Sequence, residues 1–418
     1  MKVRRFAAGA SLLGATAVLI SACGSSDNGG GGGGGSCVSG NTLTIYSSLP
    51  FDPTDRQQST DVVNGEKMAL QKAGNKVGKY TIKYVSLDDS TPSAGKWEAG
   101  KVSSNAREAA QNKATIVYLG EFNSGATAVS LPILNRSGIL QISPSNTAVG
   151  LTKKSADPAE PDKYYPTGKR TYGRVVPADN IQAAAQVTYM KDQGVKKVYV
   201  LDDKEVYGKG VADALAADAK KAGLQVVGDE GIDPKAANYR SLGAKMKSAG
   251  ADAFFFGGIT ANNAVQLWGD VFAANPGIKG FGPDGVAEAS FTGKIPESSQ
   301  PNTFITNPTL PEQLYPPAAK TFFGDFKAKY GNDPEPYAIY GYEAMNAALE
   351  AIKNAGDKGN CREDVIKGFY NIKNRTSVLG TYSIDADGDT TITDYGGNTI
   401  KSGKLVFDRV IKAQTPSS

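Results

Sequence analysis

Histidine is absent from all 418 residues. That absence removes imidazole general bases, Ser-His-Asp triads and histidine-ligated zinc together. Cysteine occurs only three times and net charge is low, at +4. Three positive residues sit in the first few positions with no acids among them, so the rest of the chain is close to neutral. Basic pairs such as Lys196-Lys197 and Lys220-Lys221 are interrupted by acids and read as solvated element ends, so no nucleic-acid surface is expected. No repeat recurs at a period of roughly 20 to 50 residues, which excludes solenoids.

What is present begins with Lys2, Arg4 and Arg5, followed by an uncharged run from Phe6 to Ala22 rich in Ala, Leu, Val and Ile. The run falls short of the roughly 20 strongly apolar residues of a spanning helix and reads as an export signal. It ends Leu19-Ile20-Ser21-Ala22-Cys23, which resembles a bacterial lipobox. The resemblance implies a leader over 1–22, cleavage before Cys23, and a lipid on that thiol anchoring the protein to the outer face of a cell membrane. The other reading is a signal-anchor helix with an incidental cysteine. Residues 23–40, with the unbroken run Gly29 to Gly35, offer almost no apolar side chains to bury and read as a flexible tether reaching roughly 20 to 25 Å. If Cys23 is lipidated, Cys37 and Cys361 remain, open either to pairing in an oxidising compartment or to staying free.

A chain of this length is too long for one compact core and suits two lobes. From Thr42 short β-rich runs alternate with amphipathic ones. Strands are expected at 42–47, 80–87, 115–119 and 139–143, with helices around Val62 to Ala73, Trp97 to Asn112 and Thr127 to Leu134. A polar, Pro-rich insertion spans Lys153 to Lys169. Then a second unit of the same kind opens at Arg174, with strands at 197–201, 224–228, 251–258 and 302–306 and helices between them. Three more helices follow, near 318–330, 340–354 and 362–370, and short β runs close the chain at 381–384, 391–395 and 404–409. Such alternation argues α/β architecture with two Rossmann-like, doubly wound lobes.

The most chemical-looking segment is Gly120-Glu121-Phe122-Asn123-Ser124-Gly125-Ala126-Thr127, at the C-terminal end of a strand and the start of a helix, where α/β sheets bind ligands. Ser124 and Thr127 offer hydroxyls, Gly125 permits close backbone approach, and the first helical N–H groups suit an anion. An ordinary Ser N-cap has the same signature. Ser143-Pro144-Ser145-Asn146-Thr147 is a second polar loop at the same expected edge. In the second unit, Phe281-Gly282-Pro283-Asp284-Gly285 follows a strand. Its Asp284 is either part of a simple turn or a carboxylate facing the first lobe and awaiting a cation. Tyr207-Gly208-Lys209-Gly210 lacks phosphate-loop spacing. Asp385 to Asp389 lacks the calcium-loop offsets and reads as a hairpin turn. Asp88-Asp89 reads as a solvated strand end.

Taken in order, GEFNSGAT, ILQISPSNTA, DDKEVYGKG, ADAFFFGG and FGPDGVAEAS resemble the type I periplasmic binding proteins, in their leucine/isoleucine/valine-binding branch, over nearly the whole chain after the leader. The resemblance implies two lobes joined by three crossings, near Val176-Pro177, Thr306-Asn307 and Leu379-Gly380. The first lobe would then comprise 41–176 and 307–378, and the second 177–306 and 379–418. It further implies a ligand carboxylate held by the Ser124 hydroxyl, by Thr147 and by the Ser145 backbone, an ammonium on Asp284, and Tyr207 and Phe122 on the cleft wall. Ile259 stands where the family has a tyrosine, Glu121 where the branch carries a neutral or weakly basic residue, and Asn123 in place of a family cysteine.

The function implied is capture of an amino acid or related zwitterion for delivery to a membrane permease and its ATPase, without cofactor, metal or catalysis. A sensor on the same fold, a binder of another small carboxylate or amide, and a carboxylate-based enzyme are the alternatives.

Overall fold

The computed structural model describes residues 37–412. The leader, Cys23 and nearly all of the expected tether lie outside them. The first lobe opens with β1 (Thr42–Leu49), α1 (Arg56–Lys72), β2 (Tyr80–Asp88), α2 (Ala99–Gln111), β3 (Thr115–Gly120), α3 (Ser124–Arg136), β4 (Leu140–Ser143) and β5 (Tyr172–Arg174). β1 is buried at every position but its first, and β3 and β4 throughout. Those near-continuous runs are what a parallel strand covered on both faces requires.

In space the order is β2-β1-β3-β4-β5, all parallel, with the short strand Lys76–Val77 antiparallel on the outer edge of β2. The chain leaves β1 toward one edge and returns to the other side of it, so the C-terminal ends of β1 and β3 form a topological switch point.

The second lobe repeats the scheme with α4 (Asp179–Asp192), β6 (Lys197–Asp202), α5 (Val206–Lys221), β7 (Gln225–Gly231), α6 (Arg240–Ser248), β8 (Ala253–Gly257), α7 (Ala264–Ala274), β9 (Lys279–Gly282) and β10 (Thr303–Asn307). The strand order β7-β6-β8-β9-β10 places its switch between β6 and β8. The chain then returns to the first lobe as α8 (Pro317–Tyr330), α9 (Ala338–Asn354) and α10 (Arg362–Tyr370), and ends as β11 (Asp394–Lys401) and β12 (Lys404–Lys412), an antiparallel pair added beyond β10. The expected strand at 391–395 is therefore displaced: β11 begins three residues later and runs to Lys401. Its two central glycines, Gly396 and Gly397, hide the alternation that marks a strand.

Apolar stripes close each lobe. In the first, α1 and α9 pack so tightly that a Cβ on Gly65 would lie 2.3 Å from the Ala338 carbonyl, and one on Gly341 would lie 2.4 Å from that of Val62. Only glycine admits this backbone contact. In the second, Trp268 is wholly buried among Phe254, Phe256 and Phe291. The 153–169 insertion is pinned to the first lobe, where Tyr164 and Tyr165 pack with Leu131, Leu151 and Tyr172, and it does not line the central cavity.

The chain changes lobe after Val176, which lies in the first lobe's core, and again after β10. The third change does not fall near Leu379-Gly380. Leu379, Tyr382 and Ile384 are part of the first lobe's core, and the chain first pairs with the second sheet at β11. Residues 380–392 stay behind because the hairpin of Arg375–Ser377 with Gly380–Tyr382 anchors them, and Tyr382 donates to the buried Glu343 at 2.7 Å.

Cys37 and Cys361 are joined by a disulfide. It ties the first described residue to the N-terminus of α10, next to the Val38 N–H that donates to the Asn360 carbonyl at 2.7 Å.

Candidate functional site

The two switch points face one another across a single cavity of about 530 Å³, counted with its open mouth. The first lobe contributes Asp55 and Gln58 after β1, Phe122 to Gly125 after β3, Ser145 and Thr147 after β4, and Tyr337 at the start of α9. From the second come Glu205 and Tyr207 after β6, Ile259 after β8, and Asp284, Gly285 and Glu288 after β9. Ser124, Ser145, Thr147, Tyr207, Phe122, Ile259 and Asp284 are thus brought together from five separate stretches of chain.

On the first-lobe side, Ser124 opens the 13-residue α3, whose first N–H groups have no partner within the helix and carry the positive end of its dipole. The Ser124 hydroxyl accepts the Ala148 N–H at 3.3 Å, which leaves its own proton available. The Ser145 N–H is already used by the Ser143 hydroxyl at 3.1 Å, and the Ser145 hydroxyl donates to the Phe122 carbonyl at 2.8 Å. Both the N–H and the hydroxyl of Ser145 are therefore already engaged within the first lobe. The Thr147 hydroxyl is buried beside the Asp179 carboxylate without a hydrogen bond of ordinary geometry.

Across the gap, Asp284 is held from both lobes. Tyr207 of the second lobe donates to Oδ1 at 2.8 Å, and Tyr337 of the first donates to Oδ2 at 2.5 Å. Burial raises the Asp284 pKa, and the two tyrosine hydroxyls pull it partly back. The Asp179 carboxylate is also buried, neither oxygen has a hydrogen bond of ordinary geometry, and burial followed by the charge of Asp284 drives its pKa well up, with Thr147 and Arg174 acting against the rise. Arg174 acts on Asp179, whereas Asp284 has only neutral donors, so a carboxylate beside a second buried acid forms a seat for a ligand nitrogen. Phe122 meets the Tyr337 ring edge-on, with centroids 5.5 Å apart, and closes the wall beside it.

A second contact bridges the lobes at the rim. Lys96 reaches Glu205 and donates to Asn262 Oδ1 at 2.8 Å, while the Trp97 indole N–H donates to Glu205 at 3.2 Å. Neither Lys96 nor Trp97 carries a motif, and Trp97 was expected to open a helix that begins only at Ala99.

Several expectations are corrected here. Thr127 does not face the cavity: its hydroxyl receives the Glu121 N–H at 3.0 Å and donates to Asn146 at 2.5 Å, which braces the two polar loops against each other. Gly125 does allow a close approach, but to Trp97, whose ring carbon lies 2.8 Å from where a Cβ would sit. Glu121 lies behind the site, fully buried on the Tyr118 hydroxyl at 2.7 Å. Asp89 is fully buried beside it rather than solvated. The expected hairpin turn at Asp385 to Asp389 is present, closed by the antiparallel bridge of Ile384 with Thr390, and within it Asp389 is buried on Arg174.

Tyr337, Asp55, Gln58, Glu205 and Glu288 escaped the sequence reading. Asp55 and Glu205 each follow a strand end at a switch point, a signal that was present. Tyr337 reaches Asp284 from the start of a helix 53 residues further along the chain, and nothing local marks it. Among the described residues no group of three or more acidic or sulfur side chains converges as a metal site, and no helix is long and apolar enough to cross a membrane.

Residues 53–404 match the family model described as periplasmic binding protein. The chain is 26% identical over 389 residues to the Leu/Ile/Val-binding protein BraC3 of Rhizobium johnstonii, covering 87% of this chain and 98% of that one. It is 28% identical over 285 residues to Leu/Ile/Val-binding protein homolog 3 of Brucella melitensis, covering 67% and 72%. A solved leucine binding protein of Thermotoga maritima superposes with a TM-score of 0.77 at 21% identity, over 88% of this chain and 99% of that one. That likeness speaks to the fold alone.

Proposed function

Because the chain belongs to the periplasmic binding protein family, we propose that it is an extracytoplasmic solute receptor that closes around an amino acid and presents it to a membrane permease driven by an ATPase. The observation that carries this reading is the grip on Asp284: a buried carboxylate held by one tyrosine from each lobe, opposite the mouth of α3. The ammonium end of a zwitterion would sit on Asp284, and its carboxylate at Ser124 and the free helical N–H groups. The binding names of the relatives support the amino-acid class. No step of this function needs bond chemistry: the lobes move, and the ligand's contacts with both stabilise the closed form. A lipid on Cys23 and the tether behind it would keep the receptor near its permease.

Calorimetry against all twenty L-amino acids and small organic acids tests the proposal. At least one amino acid should bind, and Asp284→Asn should weaken it by ten-fold or more. Equal affinity for the variant, or binding confined to acids without an ammonium group, would remove the reading.

A further inference from the structure

The cavity wall carries four carboxylates, Asp55, Glu205, Asp284 and Glu288, and neither lysine nor arginine. Two of the four are accounted for. Asp284 holds its tyrosine donors. Glu205 holds Lys96, the Trp97 indole and the Asn262 amide.

Asp55 and Glu288 are not. Asp55, 6% exposed, has an oxygen buried without any hydrogen-bond partner. The charges acting on it, Glu288, Asp52 and Glu205, are all acidic. Glu288, 7% exposed, has only the hydroxyls of Thr260 and Ser290 beside it, with Glu335 and Asp52 as its charged neighbours. One belongs to the first lobe and the other to the second, so closure brings two like charges together away from water. Burial above all, helped by the neighbouring acids, pushes both carboxyls up, with the Thr260 and Ser290 hydroxyls acting against the rise at Glu288.

A protein that buries carboxylates without a cation leaves them to be neutralised by a proton or by a partner. The strongest charges on these two groups come from Asp52, Glu205, Glu335 and, on Asp55, from Glu288 itself, while Asp284 is held separately by its two tyrosines, so this is a second acidic locus beside the ammonium seat. An aliphatic side chain placed against it would leave the unpartnered Asp55 oxygen without a donor and both carboxylates without a cation.

We propose that the ligand carries a second cationic nitrogen, an ammonium or guanidinium at the end of its side chain, seated between Asp55 and Glu288. The preferred substrates are then basic amino acids, not aliphatic ones. This rests on the amino-acid reading given above and narrows it.

Calorimetry on the whole chain with L-leucine, L-lysine, L-arginine and 1,5-diaminopentane separates the possibilities. L-lysine or L-arginine should bind at least ten-fold more tightly than L-leucine. Asp55→Asn and Glu288→Gln should each reduce that preference several-fold without weakening L-leucine. Both variants replace a desolvated carboxyl with a neutral amide of the same shape, so ligand-free Glu288→Gln should melt at or above the wild-type temperature, which shows that the lost preference is not misfolding. L-leucine binding as well as or better than the basic amino acids, or a preference untouched by both variants, overturns the inference and leaves the amino-acid reading intact. Binding of the diamine with every amino acid silent overturns the amino-acid reading, and silence of all four ligands overturns both.

Discussion

The Arg174 guanidinium meets the Asp389 carboxylate at 2.7 Å in a pair that is almost wholly buried. The same guanidinium donates to the Asn146 and Ala148 carbonyls at 3.2 and 2.8 Å. Those carbonyls flank Thr147, so the pair braces the loop that carries a cavity residue. Burial raises the Asp389 pKa, but Arg174 and Lys153 outweigh it and hold the carboxyl below its usual range.

Removing Asp389 would leave Arg174 buried with no carboxylate partner. Asp389→Ala should cost about 3 to 5 kcal/mol in urea unfolding and loosen ligand binding through Thr147. Asp387→Ala, whose carboxylate is half-exposed and 3.9 Å from Lys153, should cost under about 0.5 kcal/mol. Equal effects from the two would show that the buried pair does not brace the fold.

Of the two tryptophans, Trp268 is sealed in the second lobe's core and Trp97 bridges the lobes. Ligand-dependent changes in intrinsic fluorescence should therefore come from Trp97 and vanish in Trp97→Phe. A full signal in that variant would place the moving contact elsewhere.

Glu66 on α1 is fully buried, with the Tyr84 hydroxyl 2.5 Å away. Burial pushes its pKa up to about 7, although Tyr84, Ser47 and Lys67 act against the rise. The group is protonated in the folded chain and ionised in the unfolded chain between its ordinary value of 4.5 and about 7. The unfolded state binds fewer protons in that window, so stability falls as pH rises through it, by about 1.4 kcal/mol per pH unit for one such group. Urea midpoints should be higher at pH 5 than at pH 7.5, and Glu66→Gln should flatten the slope. A midpoint that climbs with pH over this range in the wild type would contradict the assignment.

The Cys37–Cys361 bond closes a loop of 324 residues. A constraint on so long a loop removes much of the unfolded chain's freedom, so Cys361→Ser should lower stability by about 2 to 4 kcal/mol. Calorimetric melting with and without reductant reads the difference. A reductant-insensitive wild-type melt would argue against the bond.

The alternation of strands and helices was legible from residue 42 onward because it depends on local periodicity. So was the placing of Ser124 and Asp284 at strand ends, since a polar loop after an apolar run needs no distant information. Solvation was not. Asp89 and Asp389 look like surface acids in sequence, and only Glu121 for the one and Arg174 for the other reveal their burial. The third crossing was misplaced for a related reason: Tyr382 is held in the first lobe by Glu343, a partner no local window contains.

By itself the sequence determined two doubly wound lobes and the strand ends that meet between them, because chain order and apolar period dictate which edges converge. Only the tertiary structure decided what the meeting place contains. Tyr337 arrives from a helix far down the chain to share Asp284 with Tyr207, and Asp55 and Glu288 become neighbours only when the lobes face each other. Charge in a closed cavity is a property of everything packed around it, and that enclosure exists in three dimensions alone.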